Sequence, residues 1–596
     1  MSGLKKFIEF FLKMTLPNGA EILIKTLLSL NINNNNTTFN KNIRKFARLG
    51  IIYVGNNKIS SYCPFCYTKN KRCFFTNDNS HYSHSNTCAD CLEFKKYLEI
   101  FNNNILKLIT DFLVTYQVSL NAIYSFKFSK ILQYSNPLIN IIKKSDLRKQ
   151  IYLLFENFKS YINKENVGEF CSILVDGASR NLKNFYAFIL FTKSRLFYLK
   201  IHRVDIPTSE NISLITSELI NYLMNDLDIE VISICSDHAA NMIKAFNACD
   251  QVSSQIMTDH FFEWIGCTCH LLNLGISDLN NDIDFQNIKD TLLFILSISQ
   301  KIEFPHKIPT FSKTRWDSLS KCFNFVFFYK DLILGYLSSL FNDLITKKGM
   351  MEQKIQKNQN DISIQNKYAN LLNEILQINK HIQILLSKEF EELSILFKYM
   401  ANTINKIGSD NFLLFNVFPE FIALDNFFKS FSSPIIQKFT KIIFNRILSS
   451  NEFLQAATAF FLTIDGKNYI IKNLNENIKD KLISDIKFYL IYYNGCRFGD
   501  LEDLLINQIE KYINDETCLS IDPFDYWNRL RLVPEMSRLA EIAIRIINMP
   551  CSEAAVERLF SHLKYLYGKK NYQQSDDLLN AQLGIRMENV YSNQEK

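Results

Sequence analysis

The chain has 596 residues and a formal charge of +7 at pH 7, from 67 Lys and Arg against 60 Asp and Glu. At about 100–200 residues per domain this length predicts several folded units and excludes a single small module. With 47% apolar and 21% charged residues, the chain can bury large cores, which excludes wholesale disorder, and its diluted positive charge permits a polyanionic partner without demanding one.

Residues 1–30 read as one or two amphipathic helices, and the Asn-rich stretch 31–40 has the composition of a linker. Glu9 and Lys13 break the opening apolar stretch, and no run approaches about 18 uninterrupted apolar residues, so neither a secretory leader nor a membrane span is expected. An intracellular, soluble chain is the expectation. Of the 14 cysteines, five fall between Cys63 and Cys91, and in that context metal ligation explains them better than disulfides. Cys63, Cys66, Cys73, His81, His84, Cys88 and Cys91 are more soft ligands than one tetrahedral zinc uses. Cys63 and Cys66 can join His84 and Cys88, which lie one helical turn apart, or they can join Cys88 and Cys91 as two knuckles. His81 is a further alternative. A closed set of four leaves no place for water, so Zn2+ here is expected to build a module and not to catalyse. Lys69, Lys71 and Arg72, interleaved with Tyr67, Phe74 and Phe75, make DNA the expected partner of that module.

Residues 92–164 read as mostly helical, with Ile105, Leu108, Ile109, Phe112 and Leu113 at helical spacing. From Glu169 short apolar runs take over. Runs at 173–175, 186–191 and 196–201 predict three strands, 212–223 a helix, 231–235 a fourth strand, and a fifth precedes Cys267. A meander followed by a helical crossover describes a mixed α/β sheet covered by helices. Beyond Arg315 and Trp316 the chain turns helical. Ile364, Tyr368, Leu371, Ile375, Ile378, Ile382 and Leu385 share one stripe, which suits a helix packed in a bundle better than a coiled coil.

Asp176 ends the first apolar run and is followed by Gly177, Ala178 and Ser179; Asp237 ends the fourth and is followed by His238, Ala239 and Ala240. Two aspartates at strand ends of one sheet can converge, and oxygen ligands of this kind suit Mg2+ or Mn2+. Taken singly, each reads first as an ordinary turn or helix-cap residue. Glu557, on the polar side of a helix whose apolar stripe includes Val556, Leu559, Phe560 and Leu563, is a candidate third carboxylate.

Near the C-terminus Pro550-Cys551-Ser552-Glu553-Ala554-Ala555-Val556-Glu557-Arg558-Leu559-Phe560-Ser561, with Asp522-Pro523, Tyr526-Trp527 and Pro534 upstream, resembles the C-terminal region of hAT-family transposases. The family's pattern recurs, in order, at Ser236-Asp237-His238-Ala239-Ala240-Asn241-Met242, at Cys267-Thr268-Cys269-His270 and at Thr314-Arg315-Trp316-Asp317. Cys551 and Glu553 depart from it, standing where small or hydroxyl residues are common. The resemblance implies an RNase H-like α/β catalytic core with a mixed sheet, interrupted by a large all-helical insertion, and a small N-terminal zinc-finger module. The division it implies is 1–41 for N-terminal helices and linker, 42–95 for a BED-like zinc finger and 96–165 for a helical connector. Residues 166–320 are then the first part of the core, 321–545 the insertion, and 546–596 the end of the core with the dimerisation region.

The resemblance also implies that Asp176, Asp237 and Glu557 form an acidic triad holding divalent metals, with Arg558 beside it. Cys267 and His270 match a family pair; a buried thiol with a hydrogen-bonded histidine and a direct role at the active site are both open readings. Trp316 matches the family's Arg-Trp, suiting either base stacking or a core, and Arg315 would hold a phosphate. Leu578, Leu579, Leu583 and Ile585 exceed what one helix needs, which predicts a homodimer or higher homo-oligomer. The expected activity is metal-dependent cleavage and strand transfer of double-stranded DNA, at transposon terminal inverted repeats and target sites, in the nucleus. A domesticated DNA-binding regulator is the main alternative, and a helical scaffold protein a lesser one.

Overall fold

The computed structural model describes residues 52–53, 61–63, 74–75, 78–115, 143–180, 182–193, 195–246, 262–310, 316–357, 361–498, 502–516, 521–566 and 575–594. The expected N-terminal helices and linker, residues 1–41, lie outside them. The chain divides into two compact units, residues 1–162 with 561–596 and residues 163–560. No helix among the described residues is long and apolar enough to cross a membrane.

In the first unit three short strands, β1 (Ile52–Tyr53), β2 (Ser61–Tyr62) and β3 (Phe74–Phe75), pair antiparallel in that order. The helices Asp78–Thr87 and Ala89–Thr115 meet at Cys88. The Cys88 amide donates to the His84 carbonyl at 2.8 Å, and the Leu92 amide donates to the Cys88 carbonyl at 3.0 Å. Helical hydrogen bonding therefore runs through the junction, and the long helix passes residue 95 without a break. Its buried stripe of Phe94, Leu98, Phe101, Ile105 and Ile109 has the spacing of one helix face; the side chains of Phe112 and Leu113 lie outside the described residues. That stripe packs with the helices Lys144–Lys159 and Asp576–Gln594. Leu578, Leu579, Leu583 and Ile585 are buried within the chain. The leucines that the sequence offers as surplus are thus engaged inside the protomer, because two helices of the same unit supply their partners.

The second unit is built on a five-stranded mixed sheet of β4 (Phe170–Arg180), β5 (Lys183–Phe191), β6 (Leu196–Val204), β7 (Glu230–Ser236) and β8 (Glu263–Gly266), in the order β6-β5-β4-β7-β8. β4, β5 and β6 form the antiparallel meander, and β7 and β8 add in parallel after the crossover helix Ser209–Asn221. Residues Phe185 to Phe191 are all buried, the mark of a strand covered on both faces. The helical part follows from Trp316. Its helices Lys330–Lys357 and Ile362–Leu386 pack on one another, with Leu371, Ile375 and Ile378 buried against Leu344 and Phe294, so the heptad-like stripe serves a bundle.

The far end of this part returns to the sheet through ions. Arg545 donates from Nε to Glu230 Oε1 at 3.0 Å and from Nη2 to Glu230 Oε2 at 3.0 Å, and Arg497 pairs with the same carboxylate. Burial, then the neighbouring Arg545 charge, brings the Arg497 pKa down to about 10. Glu230→Ala would leave two largely buried guanidinium groups facing each other. We expect a loss of about 3 kcal/mol, read as a lower denaturation midpoint, with Glu230→Gln intermediate.

Candidate functional site

The register of β4 on β7 pairs Ile173 with Ile234 and Leu174 with Cys235. Two residues further along lie Asp176 and Asp237, but only Asp237 stands just past a strand end: Asp176, expected to end its strand, lies inside β4, which runs on to Arg180 because its antiparallel pairing with β5 continues beyond the parallel pairing with β7. Asp176 Oδ1 accepts from the Gly177 amide at 2.6 Å, and Asp237 Oδ1 accepts from the Ala239 amide at 3.1 Å. Burial, then the Asp237 charge and to a smaller degree that of Glu557, raises the Asp176 pKa to about 8 against the pull of the Gly177 amide. Two acids far away along the chain thus act on Asp176. Glu557 is exposed, on the helix Ala554–Leu566.

Tyr186 of β5 pairs with Gly177 across the meander. A Cβ on Gly177 would sit 2.8 Å from Tyr186 Cε1, so glycine after Asp176 lets this ring lie over the strand. Tyr186 Oη accepts from Asn241 Nδ2 at 3.0 Å. Burial and the neighbouring Asp237 and Asp176 push its phenol up to about 12, which keeps it neutral. Neither Tyr186 nor Asn241 stood out as a site residue in the sequence, because an aromatic in an apolar run reads as core.

Cys267 is a buried thiol at the junction of β8 and the helix Thr268–Asp278, where its Sγ caps the His270 amide at 3.5 Å. The His270 ring stacks on His238 with centroids 5.5 Å apart. Burial holds the His270 pKa below its ordinary value, although Asp237 pulls the other way and His238 adds to the lowering. A cavity of about 180 Å³ opens beside this helix, lined among others by Cys269, His270, Asn273, Glu553 and Glu557. Glu553 is buried, and burial, with Cys267 and Asp176 nearby, pushes its carboxyl well up. Arg558 donates from Nη1 to the Gly408 carbonyl at 2.9 Å and pairs with Asp410. Arg315, Lys69, Lys71 and Arg72 lie outside the described residues, as does the side chain of Trp316, which begins the helix Trp316–Phe328.

In the first unit Cys63, His84, Cys88 and Cys91 come together, with one ligand atom from each lying within 4.8 Å of the others. Cys66 and the side chain of His81 lie outside the described residues. A tetrahedral zinc with thiolate bonds of ~2.3 Å sets its sulfurs about 3.8 Å apart, close to the 3.6 Å between Cys63 Sγ and Cys91 Sγ. The Cys63 thiol, through its hydrogen bond, together with burial pushes the Cys91 thiol strongly up. A soft divalent cation relieves such crowding, so this Cys3His set can bind a metal such as zinc.

The described residues thus combine a mixed five-stranded sheet with acids crowded beside β4 and β7, a helical part and a Cys3His cluster. Residues 508–588 match the model of the hAT family C-terminal dimerisation region, which supports membership of the hAT family and a transposase-like protein. The same match supports homodimerisation. No curated protein matches the chain significantly.

Two outcomes follow. Cys91→Ser and Cys63→Ser should each lower the bound zinc of the purified protein from about one per chain toward none, read by metal analysis. The raised Asp176 pKa favours folding below the ordinary carboxylate range and is lost as pH rises through about 8. An ion held by Asp176 would displace that proton, so any Mn2+ affinity of this site is expected to rise about tenfold per pH unit up to about pH 8. In Asp176→Asn the slope should flatten, as read by electron paramagnetic resonance.

Proposed function

We propose that this chain is a DNA transposase whose acidic site hydrolyses a phosphodiester at transposon ends and joins a freed 3′-hydroxyl to target DNA. The observation that carries the reading is that Asp237, just past β7, and Glu557 both act on Asp176 in β4. Their all-oxygen donor set suits Mg2+ or Mn2+ and no soft metal. Asp176, Asp237 and Glu557 would hold the ions, which when bound supply the charge that activates the attacking oxygen and stabilises the leaving one.

The chain's own contribution is position. The Gly177 and Ala239 amides aim the two aspartates, and a helix carries Glu557. Neutral Tyr186 and His270 flank the acids without adding charge to compete with the ions. The Cys3His module would read the element ends, with Lys69, Lys71, Arg72 and Arg315 on phosphates and Trp316 against a base. A nuclear address follows from that substrate.

The test begins with the genomic DNA flanking the reading frame. Terminal inverted repeats bounded by a short direct duplication supply the substrate. On it Asp176→Asn, Asp237→Asn and Glu557→Gln should each reduce cleavage at least about a hundredfold while circular dichroism and end binding persist. Retained cleavage removes that residue from the triad. Flanks without repeats, with DNA binding and no cleavage, would favour a domesticated regulator.

A further inference from the structure

Glu452 belongs to the helical part, in the first turn of the helix Asn451–Phe461, where Ser450 Oγ accepts from the Phe453 amide at 3.3 Å. It is 3% exposed, and its Oε1 lies 2.9 Å from Nε2 of His238, the residue after Asp237. Burial, the largest single influence, raises this carboxyl, but the His238 hydrogen bond and charge together with hydrogen bonds from the helix start hold its pKa below the ordinary range. The carboxylate accepts, so Nε2 carries the proton. His238 Nδ1 is buried and has no hydrogen-bond partner among the described residues, so Glu452 is the polar tether of this ring within them.

The tether is built into the packing. The His238 ring stacks on His270 at an interplanar angle of 18° and meets Trp264 edge-on at 5.9 Å. Trp264 Nε1 donates to Ser236 Oγ at 3.0 Å, so the residues on both sides of Asp237 are held. Opposite Ser236 on β8 stands Gly266. A Cβ there would lie 1.9 Å from Glu452 Oε1 and 2.5 Å from His238 Nε2, so the missing side chain leaves the space that this contact occupies.

We propose that Glu452 is a positioning residue for the acidic site, fixing through His238 the strand-end turn that carries Asp237 and the neighbouring His270 ring. The inference rests on the reading that the triad holds divalent ions. Groups that orient metal-binding carboxylates typically alter affinity about 10–100-fold when removed.

The test uses the full-length, zinc-loaded protein and Mn2+ alone, titrated by electron paramagnetic resonance, with thermal melting alongside. Asp176→Asn identifies the triad site. Glu452→Ala should weaken that site at least about tenfold, and Gly266→Ala, which fills the space, should do the same. Glu452→Gln, whose amide oxygen can still accept from Nε2, should recover most of the affinity. Gln455 docks the same helix through Nε2 to Glu263 Oε1 at 2.8 Å and to the Trp264 carbonyl at 3.0 Å. Gln455→Ala should therefore lower the melting temperature without a matching loss of Mn2+ affinity. Equal losses in Glu452→Ala and Gln455→Ala, or no loss in Glu452→Ala, overturn the positioning role while leaving the triad standing. Absence of any Asp176-dependent Mn2+ site overturns both.

Discussion

The parallel pairing of β4 with β7 is the constraint on which the rest depends. It sets Asp176 and Asp237 each two residues beyond the paired Leu174 and Cys235, and no side-chain rotation can undo that backbone register. Like charges so placed resist joint ionisation unless a cation lies between them. Burial first, and that repulsion second, raise the Asp176 pKa to about 8. At the other end of β7 opposite charges meet: Glu230 is shared by Arg545 and Arg497, and Arg545 also pairs with Glu541. One strand thus begins in a satisfied ion cluster and ends in an unsatisfied one, and such local conflict is where a functional site is expected.

Glu557 must then be delivered from the far end of the chain with comparable accuracy. The returning segment is pinned just before it reaches the acids. The Leu414 amide donates to the Met549 carbonyl at 3.0 Å, and the Thr268 amide donates to the Cys551 carbonyl at 2.8 Å. Leu413 and Pro550 form an isolated bridge, and Ser552 Oγ caps the Ala554 amide at 3.1 Å. With its start held from two sides, the helix presents Glu557 from a rigid element, as precise chemistry requires.

Much of the sheet was legible because period-2 and continuous apolar runs report strands directly. The five strands, the crossover helix and the stripe from Leu371 to Ile378 all lie where those patterns predict. Asp237 was legible as a strand-end acid, whereas Asp176 lies inside β4 because the pairing with β5 carries that strand on to Arg180, and the register of β4 on β7 was not legible, since pairing is a long-range choice. The roles of Leu578, Leu579, Leu583 and Ile585 show the limit of local pattern. A leucine-rich face reports that something covers it, and helices far upstream in the same unit do so here. Cys91 stood as an alternative ligand because spacing alone cannot choose among seven soft side chains, whereas proximity groups it with Cys63, His84 and Cys88. Glu452 left no signal, being one acid among many at a helix N-terminus, where glutamate is ordinary.

The helical part completes the core and is not merely appended to it. β8, four residues long, is an edge strand, and an uncovered edge invites pairing with another chain. The helix Asn451–Phe461 packs on it, and Gln455 satisfies the Trp264 carbonyl. Any helix could cover an edge. This one also places Glu452 within reach of His238 across a gap that only glycine at 266 leaves open. Arg558, beside Glu557, is likewise held by the Gly408 carbonyl and Asp410 of the helical part. Asp237 and Glu557 therefore each have an immediate neighbour fastened to the helical part, and a shift of that part against the sheet would reach both through these contacts.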